Sequence, residues 1–371
     1  MDNAERWLTQ LPHTPPVAYP EFEPSSGHVG PEPEDFQVDE VPLYELSGQG
    51  EHQYLLVQKR LLTTPELVRR VARAARVQDR DVGYAGLKDK HAVTTQWLSL
   101  CSKTELSASL DLGPEAQVLR VTRHGNKLRT GHLLGNRFTI TLVDVVEGAR
   151  RKADAVVARL REEGLPNYFG AQRFGLSGRN VGSALAFLAR GGRSRNRFEQ
   201  KLFPSVVQSE VFNRYLTARL ALGRGKLIAG EVVRLEGAGA MFRVEDVEKE
   251  QPRLEARDLH LTGPMVGPKM RPAAAEALAL EQRVLSELGL DEAMLSALGR
   301  AAPGARRDLF APLTDLTIEE LPERNALRLS FTLPAGGYAT EVIRQLTHEP
   351  FLGPPQASAP EPETSDAPDA D

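Results

Sequence analysis

The sequence predicts an α+β protein in which a domain built on a mixed, largely antiparallel central sheet is interrupted by a second, inserted α+β unit. Three observations carry that prediction. Strand-like segments occur toward both ends of the chain, as VTTQWLSL (93–100) and RFTITLV (137–143) and again as ALRLSFTL (326–333). The stretch between them reads mainly as amphipathic helices with Gly and Pro turns. At 371 residues the chain also exceeds the roughly 250–300 residues at which a single core stops growing, so two domains are expected.

Residues 1–30, rich in Pro, Ser and Gly, read as a flexible lead-in. YLLVQK (54–59) reads as a strand. Thr64 followed by Pro65 supplies an N-cap and first helical position for ELVRRVARAAR, in which Leu67, Val68, Val71, Ala72 and Ala75 form one apolar face. DVGYAG then enters a short connection that VTTQWLSL, rich in β-formers, leaves as a strand. Gly135-Asn136 is a turn signal ahead of RFTITLV, where Phe138, Ile140 and Leu142 share a face. RRKADAVVARLREE is a helix stopped by Gly164. Helices at SEVFNRYLTARLAL, closed by Gly223, and at AAAEALALEQRVLSEL after Pro272 mark an insertion over about residues 162–311. ALRLSFTL resumes the alternation with Leu327, Leu329, Phe331 and Leu333, and PAGGY turns into the helix TEVIRQL. Residues 31–161 and 312–350 therefore form one split domain, and the acidic tail 352–371 reads as disordered.

Composition narrows the function. The single cysteine, Cys101, excludes an internal disulfide framework and any site built from several thiolates, and it suits a reducing cytoplasm. No basic-then-apolar leader begins the chain and no stretch approaches the about 18 apolar residues of a membrane span, so a cytoplasmic location away from membranes is expected. The formal net charge of −4 hides an uneven distribution. Residues 116–143 contain no acid but carry Arg120, Arg123, Lys127, Arg129 and Arg137; residues 164–198, also acid-free, carry Arg173, Arg179, Arg190, Arg193, Arg195 and Arg197. Two such stretches are the footprint expected of a protein that binds a phosphate backbone.

GYAGLKDKHAVTTQW (83–97) sets one carboxylate, Asp89, among Lys88, Lys90 and His91. Opposite charges within about 4–6 Å lower an Asp pKa by about 1–3 units, so Asp89 is expected to be ionised and to act as nucleophile or electrostatic stabiliser. There is no HExxH, no paired CxxC, no GxxxxGK[ST] and no GxGxxG after a strand, so no metal and no cofactor are expected. A sugar hydrolase would use two carboxylates flanking the bond, and this loop offers one. One carboxylate among cations, with aromatics and basic surfaces, suits chemistry at the bond between ribose and base inside RNA. Breaking that bond develops positive charge at the anomeric carbon, which a carboxylate can attack or stabilise. The base must first leave its stack, at a cost of a few kcal/mol, against which stacking on a protein aromatic returns about 1–3 kcal/mol.

With these residues in view, the chain resembles the TruD family of tRNA pseudouridine synthases. The carrying motifs are PEDFQVDE (33–40), GEHQYL (50–55), YAGLKDKHAVTTQW (84–97), RHGNKLRTGHLLGNRFT (123–139), NYFGAQRFG (167–175) and LPAGGYAT (333–340), in family order over about residues 27–347. The resemblance implies cofactor-free isomerisation of uridine to pseudouridine in tRNA, at position thirteen of the D arm in bacterial members. It also implies a pseudouridine-synthase catalytic domain interrupted by the inserted TRUD domain. By motif, Asp89 matches the catalytic aspartate, Asn136 and Phe138 match positions that shape its pocket, and Tyr338 matches the aromatic that stacks on the target base. Lys88, Arg129 and Arg173 lie within motifs and are carried as substrate-binding candidates. Many members have Phe where Tyr338 stands, and many have Lys where Gly30 stands; here Lys88, Lys90 or an arginine must take that lysine's place. A monomer is expected. Two rivals remain: a non-catalytic RNA-binding or RNA-remodelling protein of the same fold, and a nucleosidase or glycosidase acting on small molecules.

Overall fold

The computed structural model describes residues 7–175 and 177–350; the acidic tail lies outside them. The chain divides into two compact units, residues 29–143 and residues 7–28 together with 144–350.

The first unit is a mixed sheet. Strands β1 (Phe36–Pro42), β2 (His52–Arg60), β3 (Gly83–Tyr84), β4 (Val93–Leu100), β5 (Ala116–His124) and β6 (Leu133–Val143) lie in the order β6-β1-β4-β2-β5, with β3 beside β4. Only the β1–β4 pairing is parallel. Helix α1 (Thr64–Ala75) packs Leu67, Val68, Val71, Ala72 and Ala75 against Leu55, Val57, Leu98 and Leu100 of the sheet, the face its periodicity predicts.

Two local expectations fail here for identifiable reasons. The helix cap is Thr63, not Thr64: the Glu66 N–H donates to the Thr63 hydroxyl at 3.3 Å and the Thr63 N–H donates to the Glu66 carboxylate at 2.9 Å. This reciprocal capping box satisfies two otherwise orphaned donors, which Thr64 in the first turn cannot do. Gly135-Asn136 is no turn either. Both residues lie inside β6, where Glu40 faces Asn136 and Val41 faces Gly135, because long-range pairing with β1 overrides the local turn signal.

In the second unit, α2 (Ala149–Glu163) ends at Gly164, whose φ of +81° is one that glycine adopts without strain. It packs against the hairpin of β13 (Thr314–Leu321) and β14 (Ala326–Pro334) and against α8 (Ala339–Thr347). Those contacts draw the unit boundary at Asp144, upstream of the residue 161/162 division that composition suggests. Strand β7 (Leu165–Pro166) pairs with β12 (Phe310–Ala311). A second sheet runs β9-β8-β10-β11, from Val232–Leu235 (β8), Met241–Arg243 (β9), Leu259–Met265 (β10) and Ala305–Asp308 (β11). It packs with α3 (Asn180–Ala189), α4 (Arg197–Leu220), α5 (Val247–Glu255), α6 (Ala275–Glu287) and α7 (Glu292–Ala297) around Phe212, Tyr215, Val233 and Leu261. Helix α4 starts twelve residues before the predicted SEVFNRYLTARLAL, at an Asn196 cap, and carries Pro204 within it.

The lead-in is also more firmly held than its composition suggests. Tyr19 is 4% exposed, its hydroxyl donates to Glu163 at 2.9 Å, and the His13 N–H donates to Glu210 at 3.0 Å. Pro and Ser richness lowers the tendency to form regular structure, but it does not prevent an extended strand from docking.

Candidate active site

Asp89 sits on the connection between β3 and β4, half-buried, with rigid strands on both sides. Three interactions fix that loop. Lys59, near the end of β2 and 1% exposed, donates from Nζ to the Asp89 carbonyl at 2.7 Å. Thr64, relieved of capping, accepts the Lys88 N–H at 3.0 Å and donates to Gln96 Oε1 at 3.0 Å. The Lys88 side chain points inward, with Nζ 3.1 Å from Glu40 Oε2 and donating to Asn136 Oδ1 at 2.6 Å. Glu40 and Lys88 are 1% and 5% exposed, a buried pair whose geometry is completed by the Trp97 N–H donating to Glu40 Oε1 at 3.3 Å.

The electrostatics correct the expectation from sequence. Burial pushes the Asp89 carboxyl above its ordinary range, against the lowering pull of Lys59 and Lys88. Desolvation wins over the adjacent charges because the loop is pinned inward, a fact that charge order along a chain does not contain. Lys59 shows the complementary effect: burial lowers it from 10.5 to about 8, opposed by the attraction of Asp89. The two cations acting on Asp89 are therefore Lys59 and Lys88. Lys90 instead is exposed and acts on Glu66. Sequence reasoning missed Lys59 and Glu40; a lysine inside the apolar alternation of YLLVQK was the available signal.

Gly30, where the family resemblance leads to the expectation of a lysine, cannot simply accept a side chain here. A Cβ there would stand 2.1 Å from Asp35 Oδ2, so a lysine would require the Asp35 carboxylate to move. Phe138 is buried in β6, edge-on to Phe36 at 6.3 Å. Arg129 is exposed on the connection between β5 and β6, a segment tied to the Asp89 side by the Gly131 N–H donating to the Ala85 carbonyl at 2.8 Å.

The second unit holds Tyr338 and Arg173 together. Tyr338 opens α8 after the Gly336-Gly337 turn, with Gly336 at φ +83°. Its ring meets Phe169 edge-on at 5.8 Å and lies on Gly170, where a Cβ would come 2.9 Å from Tyr338 Cδ1 and 2.6 Å from Thr340 Oγ1. Arg173 lies over Phe169 at 5.9 Å and donates from Nε to Ser209 Oγ at 3.2 Å. Arg307, which the sequence reading did not single out, caps the same Phe169 ring at 4.2 Å. Tyr168, by contrast, is core, 1% exposed, with its hydroxyl at Thr217.

Known proteins share this organisation. The family model described as tRNA pseudouridine synthase D (TruD) matches residues 19–187 and 196–346. A tRNA pseudouridine synthase D from Anaeromyxobacter dehalogenans (strain 2CP-C) is 44% identical over 330 residues, covering 87% of this chain and 93% of that protein. One from Thermus thermophilus is 39% identical over 322 residues, covering 86% and 88%. A solved structure from Methanosarcina mazei, described as a putative tRNA pseudouridine synthase D, superposes with a TM-score of 0.66 at 21% identity, covering 93% of this chain and 97% of its own, and thus shares the fold. With motifs, fold and relatives in agreement, the chain belongs to the tRNA pseudouridine synthase D (TruD) family.

Proposed function

We propose that this protein isomerises uridine to pseudouridine in tRNA, at position thirteen of the D arm, with Asp89 as the reactive carboxylate. The activity follows the family and its 39–44% identical relatives; the observation that supports the residue is a half-buried carboxylate on a pinned loop, set against Lys59 and Lys88. In the reaction the N1–C1′ bond breaks, uracil turns, and C5 bonds to C1′; the C5 hydrogen leaves as a proton and N1 acquires one. Nothing is oxidised, so Asp89 and the protein's dipoles suffice without metal or cofactor. Asp89 attacks C1′ or stabilises its positive charge. Asn136 and Phe138 shape the pocket, Lys88 sets Asn136 through its hydrogen bond, Tyr338 takes the stacking role, and Arg129 and Arg173 contact RNA. Residues 31–161 and 312–350 form the catalytic domain in this assignment, with 162–311 as the TRUD insertion. The protein acts as a cytoplasmic monomer; no helix of the described residues is long and apolar enough to cross a membrane.

The test is direct. Incubated with tRNA tritiated at uracil C5, the protein should release tritium and leave a single new pseudouridine in the D arm by chemical mapping. No release from any tRNA would refute the assignment.

Two further outcomes follow from the geometry. Asp89 acts as an anion, so kcat/KM rises with pH through a limb above the ordinary Asp value of about 3.9. Lys59 loses its charge as pH passes about 8, and with it one of two cations supporting the site, so kcat/KM falls on the alkaline side. Lys59→Arg, which stays protonated throughout, should remove the alkaline limb and keep the acid one; an unchanged alkaline limb would exclude Lys59 as its source. Gly170→Ala should push the Tyr338 ring off its seat. Gly170 sits at φ −67°, a conformation alanine adopts freely, so the effect is steric. Losing stacking worth about 1–3 kcal/mol lowers kcat/KM by roughly 10–100-fold. Measured kinetics within twofold of the parent would show that the ring tolerates the contact.

A further inference from the structure

Buried or half-buried guanidiniums in this protein are usually matched with carboxylates. Arg219 pairs with Glu231 at 2.7 Å, Arg306 with Glu281 at 2.5 Å, and Arg344 with Glu341 at 2.7 Å. Arg307 and Arg173 break the pattern. Both lie against Phe169, beside Tyr338, and among the described residues neither forms an ion pair with a carboxylate. Arg307 donates only to neutral oxygens: from Nε and Nη2 to the Asn167 carbonyl at 3.2 Å, and from Nη2 to Asn167 Oδ1 at 2.5 Å and the Gly336 carbonyl at 2.9 Å. The adjacent acid, Asp308, is already held by Arg234 through bonds of 2.7 and 3.0 Å. Among the described residues, Arg307 Nη1 and both terminal nitrogens of Arg173 have no hydrogen-bond partner and are not sealed from solvent.

Withdrawing a cation from water without a counter-ion is costly. Here burial lowers Arg307 to about 10, which leaves it charged at neutral pH. Arg307 and Arg173 share one aromatic seat at Phe169, and their outer N–H groups are donors suited to phosphate oxygens.

We infer that Arg307 and Arg173 together bind one phosphodiester of the RNA, the one flanking the nucleotide whose base stacks on Tyr338. This rests on the function proposed above. The inner face of Arg307 is fixed by Asn167 and Gly336, so its outer edge is presented in one orientation. These are positioning residues: they hold the backbone and take no part in bond making.

The experiment uses tRNA assembled by splinted ligation with one neutral methylphosphonate, placed 5′ or 3′ of the target uridine. Affinity and pseudouridine formation are both measured with the full-length protein. One of the two substitutions should reduce wild-type affinity and kcat/KM by about 10–100-fold. Arg307→Gln should lose a similar factor on natural tRNA and nothing more on that modified tRNA. Arg173→Gln should behave alike, which guards against a folding defect in the Arg307 variant, and Arg307→Lys should retain most of the sensitivity to methylphosphonate. If the losses from variant and methylphosphonate multiply, or if neither methylphosphonate affects the wild type, the inference is overturned. Failure of the proposed function would look different: natural tRNA would acquire no pseudouridine, while the affinity measurements would still report on the phosphate.

Discussion

Asp89→Asn should retain tRNA binding and lose at least a thousandfold in tritium release from uracil C5, corresponding to about 4 kcal/mol of lost transition-state stabilisation. The substitution is nearly isosteric, so the loop held by Lys59 and Thr64 keeps its backbone bonds. It removes the only group in that loop able to attack the anomeric carbon or balance its charge. Stability should move the other way. Burial raises the Asp89 pKa in the folded state above its unfolded value, so the anion opposes folding at neutral pH and an amide relieves that penalty. An inactive variant melting at or above the parent temperature would exclude unfolding as the cause. Activity near the parental level would remove Asp89 from the chemistry and favour a protein that merely binds RNA.

Glu40→Gln should produce the largest stability loss. The side chain is 1% exposed and faces Lys88, itself 5% exposed, at 3.1 Å. Burial raises the Glu40 carboxyl on balance, against the pull of Lys88, so the expected loss comes from the buried Lys88 charge that glutamine leaves without its anion and not from the Glu40 anion itself. Removing one partner of a buried pair strands the other charge and costs about 3–5 kcal/mol, a fall in melting temperature on the order of 10 °C. Trp97, whose N–H donates to Glu40, provides the probe: in a Trp7→Phe background its fluorescence follows this unit's unfolding alone. Glu40→Gln combined with Lys88→Met should regain most of the loss, because a neutral buried pair carries no stranded charge. A single variant as stable as the parent, or a double variant no better than the single, would show that the pair does not act as a unit.

The alternation of RFTITLV and ALRLSFTL and the stripe of α1 were legible because strands and helices bury one face by fixed periods of two and 3.6 residues. Where local signals competed, the sequence was ambiguous. Thr63 and Thr64 are adjacent candidates for one cap, and only the Glu66 side chain decides between them. Gly135-Asn136 spells a turn until Phe36–Pro42 pairs along it. Asp89 itself stood out as a carboxylate within a long specific motif, whereas its pKa direction was misjudged because burial, which charge order along the chain does not contain, outweighs the pull of Lys59 and Lys88.

By itself the sequence determined the class of fold, the family, the loop that carries the carboxylate and the aromatic that follows a Gly-Gly turn, since each is written in contiguous residues. Only the tertiary structure decided which cations face Asp89, that Lys88 is sealed against Glu40, and that Arg307, 140 residues from its Asn167 partner, stands beside Tyr338 with no ion pair to a carboxylate among the described residues. The physical reason is that charge interactions depend on distance and desolvation. Both are set when remote strands pair and close around a side chain.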